Sequence, residues 1–147
     1  MKRICYLLFL PVLITGVLLS CSRGGDPVDP NGGGGVHTPT PEDTTAPVLD
    51  IYTPAATQVF ANGTTISVTG KATDDYGLYR GSVRIYNDGN GLLLKEQLYE
   101  IHGIKSYNFT VNHLVSTTLA TDYTVTVSFE DHGYNVTTKS VKVKANP

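Results

Sequence analysis

Acidic side chains have the widest chemical scope in this sequence. Asp43, Asp74, Asp75 and Asp131, with Glu42 and Glu130 adjoining the first and last, are hard oxygen donors. Calcium takes about six to eight such oxygens, so a fold that brought these aspartates together would offer it a site. The same residues have a second use, because an aspartate where a strand ends accepts hydrogen bonds from nearby backbone amides and shapes a turn. No contiguous metal-binding loop decides between the two. Rings accompany the acids: Tyr76 and Tyr79 follow Asp75, and His132 and Tyr134 follow Asp131. Exposed aromatic residues on loops carried by a rigid sheet are a usual basis for recognising sugars or proteins. Rings folded back onto the end of a sheet would only seal it.

Catalytic patterns are missing. The histidines at 37, 102, 113 and 132 show no zinc spacing and no pairing with a nucleophile. No serine sits in a nucleophile elbow, and the tetraglycine Gly32 to Gly35 does not stand between a strand and a helix where it would cradle phosphate. The expectation is a protein that is not an enzyme.

One thiol does carry a chemical expectation. Lys2 and Arg3, an apolar run from Ile4 to Leu19 and then Leu18-Leu19-Ser20-Cys21 read as a secretory signal. The run is broken by Pro11 and Gly16 and is shorter than the roughly 20 residues a membrane span needs. Its last four residues resemble the lipobox of bacterial lipoproteins, which implies cleavage before Cys21 and lipid on that residue. A single acyl chain binds marginally, at about 0.8 kcal/mol per buried methylene, so such anchors use several. Cys5 leaves with the signal, and the mature chain then has no thiol pair for a disulfide. Without Lys2 and Arg3, nine basic residues face 13 acidic ones, a formal charge of −4 that argues against nucleic acid as a partner.

The elements that must position these groups follow from composition and periodicity. Residues 21–46 are rich in glycine and proline and nearly free of large apolar side chains, as expected of a tether. Residues 47–147 suffice for one core. Their apolar residues recur with period two, predicting strands at Val48 to Thr53, Thr64 to Ala72, Leu78 to Tyr86, Leu92 to Tyr99, Lys105 to Val111, Tyr123 to Phe129 and Val136 to Val143. Asn87-Asp88-Gly89-Asn90-Gly91 reads as a hairpin turn. Lys139, Lys142 and Lys144 fit a solvent-facing edge strand. Seven strands in about 100 residues predict an all-β, antiparallel sandwich.

Thr44-Thr45-Ala46-Pro47-Val48, Thr73-Asp74-Asp75 and Asp131-His132-Gly133-Tyr134-Asn135 resemble bacterial Ig-like modules. In that family the first strand opens on T-x-P-V, the second ends in A-x-D and the sixth in D-x-x-G-N; here Tyr134 intervenes between the glycine and Asn135. With the lipobox and tether, the chain resembles small Ig-like lipoproteins of Bacteroidetes, including a family described as a domain of unknown function. In such a sandwich the second and sixth strands end at one pole, where the first begins. Asp43, Asp74, Asp75 and Asp131 would then converge, with Tyr76, Tyr79, His132 and Tyr134 around them. The functional expectation is a binding or adhesion module anchored by lipid in the cell envelope, at the outer membrane, with a glycan or protein ligand. The alternative is an accessory subunit of a larger envelope uptake or fimbrial assembly, docked by sheet-edge pairing.

Overall fold

The structure is a computed structural model and describes residues 40–147. The signal at 1–20, Cys21, most of the tether and His37 lie outside the described residues. The chain forms six strands: β1 (Val48–Thr53), β2 (Val59–Ala61), β3 (Thr65–Asn87), β4 (Leu93–Leu114), β5 (Thr121–Asp131) and β6 (Val136–Asn146). There is no helix among the described residues.

Two pairs of the seven expected runs are joined. Thr64 to Ala72 and Leu78 to Tyr86 are the two halves of β3, and Leu92 to Tyr99 and Lys105 to Val111 the two halves of β4. Register divides these long strands between two layers. The first half of β3 pairs with β1 and with the second half of β4; its second half pairs with the first half of β4 on one side and β5 on the other. One layer therefore runs β1, β3, β4 and the other β4, β3, β5, β6, β2. Both long strands change layer at one place, where register breaks between Thr73 and Leu78. There Gly77 (φ 145°) packs on the backbone of Gly103 (φ 76°), so closely that a Cβ on Gly77 would strike it. Side chains at this crossing would force the two bends apart, and positive φ is open to glycine at little steric cost.

Between the layers lies a core drawn from both: Leu49, Ile66, Val68 and Phe109 from the first, Val83, Ile85, Val125, Val127 and Phe129 from the second. Burial in β5 alternates strictly along Tyr123, Val125, Val127 and Phe129. The Phe109 and Phe129 rings meet across the layers at 5.5 Å. Gly70 leaves room for the first ring and Gly81 for the second. Each such buried side chain contributes about 1.5–3 kcal/mol. No cysteine falls within residues 40–147, so packing and hydrogen bonding carry the stability of this part of the chain.

β2 was not expected from the sequence. Its three residues pair in parallel with Lys144–Asn146, and Thr57 and Gln58 extend that cover to Lys142 and Lys144. The lysine-bearing strand is thus an open edge only over its first half, while Lys139, Lys142 and Lys144 face solvent along its length as expected. Lys142 is held by Asp88 at 2.9 Å, and Lys139 lies 3.8 Å from Asp50.

Candidate functional site

The bend in β3 and the turn from β5 to β6 lie side by side at one pole. Leu78 stands in register with Asp131, and the His132 amide donates to the Gly77 carbonyl. The last residues read as tether lie across them. Thr40 N donates to the His132 carbonyl at 2.9 Å, and Asn135 Nδ2 donates to the Asp43 carbonyl at 3.0 Å. Gly133 sits beneath, where a Cβ would run into the Asp43 carbonyl.

Three aspartates shape this pole through their Oδ1 atoms. Asp131, fully buried, accepts from the backbone amides of Gly133 (2.7 Å) and Asn135 (2.9 Å), and its Oδ2 accepts from Asn135 Nδ2 (3.0 Å). Asp74 Oδ1 accepts from the amides of Tyr76 (3.0 Å) and Gly77 (2.6 Å), fixing the bend. Asp43 Oδ1 accepts from the Thr45 amide at 3.3 Å. This is the turn-forming role, and all three perform it.

The remaining oxygens behave differently. Asp43 is 3% exposed, and its Oδ2 and that of Asp74 are buried without a hydrogen-bond partner among the described residues. A buried unpaired polar atom of this kind costs about 1–3 kcal/mol. One carboxylate oxygen from each of Asp43, Asp74 and Asp75 lies within 4.8 Å of the others. Asp75 is exposed and opens the group to solvent. Burial pushes the Asp43 carboxyl above the ordinary range; the Thr45 amide opposes this, and the charges of Asp131, Asp74 and Asp75 add to it. Of the four aspartates expected to converge, three could share a cation, while Asp131 spends both oxygens on the turn that receives the incoming segment. Glu42 is exposed, and Glu130 accepts from Arg80 Nε at 2.8 Å.

The aromatic residues form a second group beside the first. Tyr79 lies 5.4 Å from His132 and 5.0 Å from His102, the two imidazoles are 5.9 Å apart, and the Arg80 guanidinium stands 5.3 Å from the Tyr79 ring centre. Tyr76 (50% exposed) and Tyr134 (52% exposed) project beyond them. His102 was not anticipated. The only hint was its place before Gly103, in a gap between two period-two runs; the bend there (φ 32° at His102) swings its ring to the pole.

The opposite pole holds a cavity of about 550 Å³ lined by uncharged residues, among them Asn62, Asn87, Asn90, Thr117 and Leu119.

Fold and site together define a two-layer β-sandwich of Ig type with an acidic, aromatic pole. The chain belongs to the bacterial Ig domain family, whose pattern matches residues 47–145. Among solved structures it is similar to the fibronectin(III)-like modules of Clostridium thermocellum CbhA, at 16% identity and a TM-score of 0.44, over 69% of this chain and 47% of that one. It therefore spans about half the length of the CbhA chain. It is also similar to a CARDB domain from Pyrococcus furiosus in complex with di-metal ions (16% identity, TM-score 0.38, 69% and 93% covered). A third likeness is to a superoxide reductase from Ignicoccus hospitalis (14%, 0.36, 67% and 80%). No curated protein matches the chain.

Proposed function

We propose that this chain is a non-catalytic binding module of the bacterial envelope, anchored through lipid on Cys21, resembling the small Ig-like lipoproteins of Bacteroidetes, and sorted to the outer membrane. Its ligand is a glycan or a protein, engaged at the aromatic pole. The observation that carries this reading is the pair Tyr76 and Tyr134, each half-exposed, one at the β3 bend and one in the β5–β6 turn, flanking the rings of Tyr79, His102 and His132. Aromatic faces on a rigid frame give contact area at low cost in conformational entropy. The formal charge of −4 after loss of Lys2 and Arg3 speaks against nucleic acid.

Two measurements test this. Metabolic labelling with a fatty acid should mark the full chain and be lost in Cys21→Ser. Retardation of the full chain by immobilised polysaccharides and by envelope extracts should show saturable binding that falls at least tenfold in Tyr76→Ala/Tyr134→Ala, with an unchanged melting midpoint. Binding unaffected by that pair would favour the accessory-subunit reading. A different observation supports that alternative: the first half of β4 pairs only with β3 among the described residues, and it exposes Leu93 and Leu98 beside Leu92 on an open edge.

A further inference from the structure

The geometry points to a calcium site formed by Asp43, Asp74 and Asp75 that clasps the incoming segment onto the pole. Acidic residues gathered at a strand end do not by themselves make a metal site. Here, however, the Asp43 side chain is almost wholly buried, and its Oδ2 and that of Asp74 lack any hydrogen-bond partner among the described residues. The Oδ1 atoms of both already serve backbone amides, so turn formation accounts for one oxygen of each and leaves the other without a role.

The donor set suits a hard cation, since all three side chains offer oxygen. Calcium–oxygen distances of about 2.3–2.6 Å place two ligands of one ion no more than roughly 5.2 Å apart. The separation within 4.8 Å meets that limit. No cationic side chain forms an ion pair with Asp43, Asp74 or Asp75 among the described residues, so a bound ion would supply the charge that these carboxylates lack. Water reaching the site past exposed Asp75 would complete the coordination.

Asp43 belongs to the incoming segment, whereas Asp74 and Asp75 belong to the β3 bend. An ion shared by them ties residues 40–43 to the sandwich and fixes the direction in which the chain leaves it. Asp131 and Asn135 act as positioning residues: the Asp131 carboxylate holds the Asn135 amide, which in turn holds the Asp43 carbonyl. The site does not depend on what the aromatic pole binds.

The test is calcium titration of the full chain, read by calorimetry and by thermal melting in calcium against chelator. Calcium should bind with a dissociation constant on the order of 10⁻⁴–10⁻³ M, as in extracellular modules. At ten times that concentration the melting midpoint should rise by about 5 °C or more. Asp43→Asn and Asp75→Asn should each weaken binding at least tenfold, and Asp122→Asn at the other pole should leave it unchanged. Asp75 is exposed, so its variant keeps the test valid should the buried change disturb folding. No saturable binding to about 10 mM calcium, or binding retained in both pole variants, would overturn the assignment.

Discussion

The two poles of this sandwich solve the same problem with different side chains. At the pole away from the incoming segment, Asn87 Oδ1 accepts from the Gly89 amide, Asn90 Oδ1 from Leu92 and Asn62 Oδ1 from Thr117. At the acidic pole, Asp43, Asp74 and Asp131 do this work. Asparagine therefore suffices to hold the loops of this fold, and turn-making does not require the negative charge gathered at one end. The contrast extends to the charged groups themselves. Asp88, at the amide-rich pole, is drawn upward by burial, but hydrogen bonds from Lys142 and Thr124 and the charge of Lys142 win and hold its carboxyl below the ordinary range. Asp43 has no such partner and moves the other way. One pole pairs its aspartate with a lysine; at the other, no ion pair reaches Asp43 among the described residues.

The most severe way to break this comparison is Asp131→Ala. Removing a fully buried carboxylate that satisfies two backbone amides and the Asn135 side chain should cost about 3–5 kcal/mol, measured by denaturant unfolding. Gly133→Ala should have a smaller and more local effect, about 1–2 kcal/mol, because its Cβ displaces the Asp43 carbonyl. Limited proteolysis should then cut the chain between 40 and 46 while the strands stay protected. At the other pole, Asn87→Ala removes the acceptor for Gly89 N and Thr121 Oγ1 and should cost about 1 kcal/mol, with no effect of calcium on the difference.

The smallest effects come from pH and sharpen the comparison most. Asp88 has a lowered folded value, so its contribution is present above about pH 4 and is lost as pH falls through that folded value. Its pairing with exposed Lys142 is screened, which keeps the effect modest. Asp88→Asn should therefore lower the melting midpoint slightly at pH 7 and match the parent in strong acid. Asp43 has a raised folded value, so its favourable contribution is complete in acid, below about pH 4, and is lost as pH rises through the folded value. In chelator, Asp43→Asn should gain stability relative to the parent at pH 7 and lose that advantage on acidification.

Strand positions were legible because alternation survives wherever one face is buried: Ile66 and Val68, Val83 and Ile85, and Val125 and Val127 all point inward as their spacing requires. The joins were not legible. Thr73-Asp74-Asp75-Tyr76-Gly77 has the composition of a loop, yet β3 continues through it, bent by the Gly77 and Gly103 contact that only the folded chain creates. β2 was missed because three residues cannot display a period. Convergence of Asp43, Asp74, Asp75 and Asp131 followed from topology alone. Which oxygens would be spent and which left over depended on Asn135 and Gly133, whose roles arise from where the incoming segment lies. The place of His102 at the pole was not legible, because its ring arrives there through a backbone bend within β4.

The path of the chain also sets how the domain carries mechanical load. β1 leaves the acidic pole and β6 finishes at the opposite one, where the Asn62 amide donates to the Asn146 carbonyl. Tension between the segment ahead of Val48 and the end of β6 therefore pulls along the strands. Ladder hydrogen bonds in antiparallel pairs run across the strands, so this pull slides them past one another rather than peeling them open. The ten paired positions between β5 and β6 would then yield together, in shear, whereas a pull at the open edge of β4 would unzip its bonds one at a time.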